Sequence, residues 1–295
     1  MYNRRKVLLA LLQCFDNKLD KIRLQKLLFL LTETQKDTRA YHFIPYKYGC
    51  FSFQANADLN TLCKYGIVEE NEREWVKTDN VDYIAVLKNS DHKALIFIRK
   101  FYGHLEPDQL IRLTYRKFPY YTINSKIAHQ HLSNDEIACL PDFSSGAQSR
   151  ILFTIGYEGI SLEEYINRLI KNNVRVLCDV RKNALSMKYG FSKRQLVNAC
   201  TGTGITYTHF PQVGIQSNRR KNLNSQQAYD TLFLDYKKTN LTSTIDVQRN
   251  ILTVLQKSRR IALTCFESNI NQCHRKHLAD SLYKLSNFQF KIRHI

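Results

Sequence analysis

The chain has 295 residues, 43% of them hydrophobic, with 5 Pro, 17 Tyr and 16 Phe; that is length for two ordinary domains and a composition that excludes a disordered chain. It holds no apolar run of about 18 residues, so no membrane span is predicted. The formal net charge is +18, concentrated in residues 151–295, which carry 22 Lys and Arg against 9 Asp and Glu, where residues 1–140 carry 21 against 16. A polyanion is the simplest partner for such a balance, and a basic solvated surface is the competing reading.

In chain order, MYNRRKVLLALLQCF resembles a signal peptide, but no small-residue cleavage site follows and the apolar spacing is helical. It is therefore predicted as a core helix over 4–15. A second helix is predicted over 20–36, with Asp20 as its cap. YHFIPYKYGCFSF is rich in β-formers around Pro45 and Gly49. Ser52 is placed to cap a third helix, FQANADLNTLCKY, that Gly66 ends. IVEENEREWVKT reads as a β-hairpin. Three helices and a hairpin predict a mainly helical winged-helix domain over 1–90.

Residues 91–150 are predicted as a helical connector and linker. Tyr115, Phe118, Tyr120 and Tyr121 are expected to pack between the domains. The boundary is placed in 132–150, on Pro141, Gly146 and a Ser-rich patch.

From residue 151 the period changes. ILFTIGYEG, VRVLCDVR, ITYTHF and RIALTCFE read as strands, and FQFKIRHI closes as another. SLEEYINRLIKNN between the first two reads as an amphipathic helix with Ser161 and Glu164 as a capping box. Helices are also predicted over 192–202 and from CHRKHLADSLYKL. Alternating strands and helices predict an α/β domain over 151–295, a Rossmann-like three-layer arrangement around a mostly parallel sheet.

Eight cysteines are scattered without a C-x-x-C pair. That pattern predicts reduced, mostly buried thiols and a cytoplasmic protein.

Ligands of open α/β sheets bind beyond the carboxyl ends of the strands. The predicted strands deliver Gly156, Tyr157 and Glu158 there, then Asp179 and Arg181. The third leads to the loop with Arg219, Arg220 and Lys221. The fourth delivers Cys265 and Glu267, followed by Cys273, His274 and Arg275. The arginines form a fork-donor set suited to phosphate, with a solvated loop as the bland reading for Arg219 and Arg220. Asp179 and Glu267 are candidates for acid–base work, or for capping a turn. Cys273, beside His274 and Arg275 at a helix start, is a candidate nucleophile, whereas Cys265 reads as a core residue. Tyr157 suits stacking on a base or packing on the rim. His209 is expected near the strand end as a packed residue and His277 on the helix surface. Cys265 and Cys273 are eight residues apart, which is not a zinc knuckle, so no metal is predicted. No cofactor signature is present.

TIGYEG-x-SLEEY, LCDVR, ITYTHFPQVG, the Arg-Arg-Lys loop and LTCFE…QCHR-x-x-LAD together resemble the DUF 488 family, a domain of unknown function, over about 151–295. Ile215 replaces the family's second glycine after the HFP turn, and SNINQ departs from its usual stretch before CHR. The resemblance implies a Rossmann-like domain and an association with nucleic-acid modification and phage defence. Residues 1–90 are similar to winged-helix proteins of the YwgA and SocA/Panacea-like type. That implies a nucleic-acid reader or an antitoxin-like protein-binding module, with Lys47, Arg73 and Lys77 as phosphate contacts. The combined expectation is a protein that binds nucleic acid or nucleotide at the strand ends and processes it. A non-catalytic DNA-binding reader and a regulatory module with an acidic protein partner are the alternatives.

Overall fold

The unbroken apolar run from Val7 to Leu12 is buried on every side of α1 (Asn3–Cys14), and the short strand β1 (Lys18–Asp20) follows it. Asp20 starts α2 (Lys21–Thr34) by accepting from the amides of Ile22 and Arg23. This helix is buried on every side from Leu24 to Thr32, with Gln25 and Lys26 buried among its leucines. Strands β2 (Ile44–Tyr46) and β3 (Gly49–Phe51) pair antiparallel around Gly49, whose φ of +89° favours glycine. Ser52 caps α3 (Phe53–Lys64) by accepting from the Ala55 amide. The hairpin of β4 (Val68–Glu70) and β5 (Glu74–Lys77) adds β1 to make an antiparallel sheet of order β1-β5-β4.

Helices α4 (Asn89–Tyr102), α5 (Pro107–Lys117), α6 (Ala128–His131) and α7 (Asn134–Ala138) complete this part. Leu95, Ile98 and Leu110, in the stretch read from sequence as a connector, join the buried cluster built on α1 and α2. Phe118 and Tyr121 stand edge-on to Phe29 of α2, Tyr120 stands edge-on to Tyr121, and Tyr115 is buried with Ile111 and Leu132. These rings thus have partners within the first part of the chain.

The computed structural model describes residues 1–35, 39–140, 149–220 and 223–295, and divides the chain into two compact units, Met1–Pro141 and Asp142–Ile295. Pro141 and Gly146 of the expected linker lie outside the described residues. Among the described residues no helix is long and apolar enough to cross a membrane.

The second unit is a mixed α/β domain. Strand β6 (Ile151–Gly156) leads to α8 (Leu162–Lys171), capped by the Ser161 hydroxyl on the Glu164 amide, while the Glu164 carboxylate pairs with Arg168. Strand β7 (Val176–Asp179), helix α9 (Lys193–Thr201) and strand β8 (Thr206–His209) follow. Helix α10 (Gln226–Tyr236), a π-helical turn and helix α11 (Ile245–Ser258) then carry the chain back to β9 (Arg260–Cys265). Helix α12 (His274–Leu285) and strand β10 (Lys291–His294) close the unit.

The five strands lie in the order β10-β6-β9-β7-β8, and every pairing is parallel. Both β6 and β9 are buried throughout, as strands covered on two faces must be. Because β9 is inserted between β6 and β7, strands distant in sequence end side by side. The register sets Gly156 against Cys265, and Asp179 against Thr264 and His209.

Candidate functional site

The strand-end residues meet at this carboxyl edge, where a sheet leaves polar groups that its helices do not cover. Gly156 ends β6 because nothing larger fits: a Cβ there would stand 1.9 Å from the Glu267 carbonyl oxygen. The close approach lets Tyr157 and Glu158 donate their amides to the Phe266 carbonyl. Glu158 returns the contact, accepting from the Ser268 amide at 2.9 Å and its hydroxyl at 3.0 Å. Arg275, 2% exposed, donates to the Glu267 and Ser268 carbonyls. Exposed Glu158 and buried Arg275 therefore clamp the 266–268 loop from two sides.

Asp179 and Arg181 form the buried frame beside it. The guanidinium bridges both Asp179 oxygens at 2.5–3.1 Å and donates from Nη1 to the Tyr157 hydroxyl and the Phe191 carbonyl. Tyr207 donates to the same carboxylate at 2.7 Å, and His209 Nε2 lies 2.9 Å from the Arg181 carbonyl. Tyr157 is buried with its ring stacked on Phe191 at 4.2 Å, so of the two roles read from sequence it takes packing.

Beyond this frame lies a cluster of thiols and charge. Cys265 Sγ stands 3.2 Å from Glu267 Oε2 and 3.7 Å from His274 Nδ1. His274 Nε2 faces the Val180 carbonyl at 3.1 Å, which fixes its proton there and turns Nδ1 to the sulfur. Arg220 pairs with Glu267. Cys265, Cys273 and His274 are all buried, and their ligand-capable atoms lie within 4.8 Å of one another. The two thiols divide their roles. The Cys273 hydrogen bond, with His274 and Arg220, holds the Cys265 pKa well below the ordinary thiol value against burial. Burial, the Cys265 charge and Glu267 push Cys273 well above it. Cys265, buried as the core residue read from sequence, is thus the more acidic thiol of the pair. Burial opposes charging His274, but the Cys265 thiolate outweighs it and raises the imidazole pKa. Burial also raises Glu267, helped by Cys265 and opposed by Arg220.

Cys265 and His274 form part of the wall of a cavity of about 480 Å³. Arg181, Lys182, Lys188 and Arg220 also line it, with Tyr157, Ser186, Ser217 and Phe266. Among the described residues its lining holds no Asp or Glu. Lys188 donates to the Tyr157 carbonyl at 2.8 Å, and burial lowers its pKa against the pull of Glu158 and Glu164. Lys182 is exposed. Leu185 and Met187 stand exposed at the same cavity. Sequence reasoning missed Lys182 and Lys188, because lysines in a loop read as solvated charge. The available signal was their place directly after the β7 end.

The remaining expected residues lie apart. Arg219 pairs with Asp235 on α10, and Lys221 lies outside the described residues. In the first unit Lys77 is buried and paired with Asp79 at 3.1 Å, Arg73 is exposed, and the Lys47 ammonium lies 5.7 Å over the Tyr46 ring.

The family model described as domain of unknown function DUF488 matches residues 161–282. No curated protein and no solved structure matches the chain. The second unit therefore carries a DUF488 domain, running from the start of α8 into α12. That span holds the Asp179–Arg181 frame and the Cys265–Arg275 segment, and leaves β6 and β10 outside it.

Proposed function

We propose that the second unit binds a phosphate-bearing molecule, a nucleotide or a nucleic-acid end, in the cavity at the carboxyl edge of its sheet and processes it there. The observation that carries this reading is the lining: Arg181, Lys182, Lys188 and Arg220 with no carboxylate among the described residues. Arg181 is already paired with Asp179 and Arg220 with Glu267, so Lys182 and Lys188 are the cations assigned to the ligand. Exposed Leu185 and Met187 at the same cavity offer apolar cover to a base, which favours a nucleotide over inorganic phosphate. A buried thiol and imidazole in the cavity wall, with the Glu267 carboxylate on Cys265 outside that wall, supply groups for chemistry.

For the first unit, the order of α1, β1, α2, α3 and the β4–β5 hairpin supports a winged-helix reading, with β2–β3 inserted before α3. The one acid of α3, Asp58, is buried and paired with Arg4 and Arg5. Its remaining polar residues include Gln54, Asn56 and Asn60, side chains that read adenine edges.

The test is a titration of nucleoside mono-, di- and triphosphates and 5′-phosphorylated oligonucleotides by calorimetry. Saturable binding, weakened at least roughly tenfold by Lys182→Glu and by Lys188→Glu, is expected from the loss of close charge contacts. Binding of none of these ligands, or binding indifferent to both substitutions, contradicts the proposal.

A further inference from the structure

We propose that Cys265, Cys273 and His274 form a zinc site at the wall of the cavity, with its open fourth position facing the bound ligand. Four observations converge on it. First, two thiol sulfurs and one imidazole nitrogen, all buried, lie within 4.8 Å of one another. Second, the Cys265 Sγ to His274 Nδ1 separation is 3.7 Å. A tetrahedral zinc with its usual sulfur and nitrogen bond lengths sets that edge at about 3.6 Å. The side chains therefore need little movement to take the ion.

Third, the histidine is held as a zinc ligand is held. Its Nε2 faces the Val180 carbonyl at 3.1 Å, so the free lone pair is on Nδ1, toward the sulfurs. Fourth, Cys265 and His274 both border the cavity, whereas Cys273 is not part of its wall. An ion on these three donors is closed on the protein side and open on the cavity side. Three protein ligands with one open position is the arrangement of a catalytic zinc, as opposed to a structural one.

The spacing that argued against a metal has a simple reading. The donors do not come from one knuckle. Cys265 is the last residue of β9, and Cys273 and His274 begin α12. The intervening 266–272 loop returns the chain to its own strand end, clamped there by Glu158 and Arg275. Glu267 sits 3.2 Å from the Cys265 sulfur and pairs with Arg220. It thereby ties the Cys265 end of the site to Arg220 of the cavity wall. Two thiolates and the carboxylate balance the charges of Zn²⁺ and Arg220, so the buried cluster is neutral when loaded.

The inference takes the cavity's ligand from the proposed function but not its own evidence. The test uses the full chain purified under reducing conditions with added zinc, then desalted. Metal is read by elemental mass spectrometry, and the zinc-free protein is titrated with Co²⁺ and read by its visible spectrum. One zinc per chain is expected, with the tetrahedral ligand-field bands and thiolate charge-transfer absorption of a cobalt centre bound by two sulfurs. Cys265→Ser and Cys273→Ser should each lose the metal, while Cys63→Ser, in the other unit, keeps it. The cobalt spectrum of the unaltered protein decides the matter even where a variant fails to fold. Folded protein that retains under a tenth of an equivalent of zinc and gives no tetrahedral cobalt bands overturns the proposal. So does metal retained in both cysteine variants. Phosphate-ligand binding by a chain that takes up neither zinc nor cobalt would overturn the zinc site alone, and zinc uptake without phosphate-ligand binding would overturn the functional reading alone.

Discussion

Arg181 grips Asp179 with Nε and Nη2 while neither side chain is more than 6% exposed. The pair ties the end of β7 to Tyr157 after β6 and to Phe191 at the start of the next helical segment. It is a buried ion pair whose hydrogen-bonding groups are met on several sides, and that sets what its loss costs. Asp179→Ala leaves a guanidinium buried without its counter-charge. The expected loss of stability is about 3–5 kcal/mol, read by urea denaturation. A loss under about 1 kcal/mol would mean that Asp179 does not hold the frame.

Gly156 and the Glu267 carbonyl approach too closely for any side chain between them. Gly156→Ala must push the 266–268 loop away from β6, and with it Cys265 and Glu267. A destabilisation of about 1–3 kcal/mol is expected, with altered chemical shifts across 265–275. An unperturbed loop would contradict the close packing.

His277 on α12 packs against Phe233, and its Nδ1 is buried without a partner. Burial and the neighbouring Lys237 and Lys276 bring its pKa down to about 4, with Asp280 opposing. The unfolded chain therefore takes up the proton first as pH falls. Stability contributed by the neutral ring is present above about pH 6.5 and is lost as pH falls toward 4. His277→Gln should flatten this part of the stability–pH curve, measured by thermal unfolding at a series of pH values. An identical curve would exclude His277 as its source.

Ligand binding at the cavity should weaken with salt, because Lys182 is exposed and its charge is screened. Between low and high ionic strength the affinity of the unaltered protein should fall more steeply than that of Lys182→Glu. Parallel salt curves would remove Lys182 from the ligand.

Periodicity was enough to read much of the fold. The Asp20, Ser52 and Ser161 caps stand where the sequence places them, because a short polar residue before an apolar run has one clear use. Strand β1 was not legible, since three residues show no period. Helices α10 and α11 also went unread in the stretch after the Arg-Arg-Lys loop. For the site, strand ends located Gly156, Asp179 and Cys265, but only the insertion of β9 between β6 and β7 puts them side by side. Sequence shows that an arginine is present, not that its donors are already taken. Arg181 and Arg275 read as ligand contacts and prove to be bonded to their own chain. The same limit applied to the two thiols, whose division of roles depends on distances across a loop.

The most direct test of the account is a calorimetric comparison of one nucleoside monophosphate with the same nucleoside lacking its phosphate, on the unaltered protein and on the Lys182→Glu, Lys188→Glu double variant. The account predicts saturable binding of the phosphate form, loss of at least about tenfold in affinity when the phosphate is removed, and a comparable loss in the double variant. Equal affinity for the two ligands, or unchanged affinity in the double variant, would contradict it.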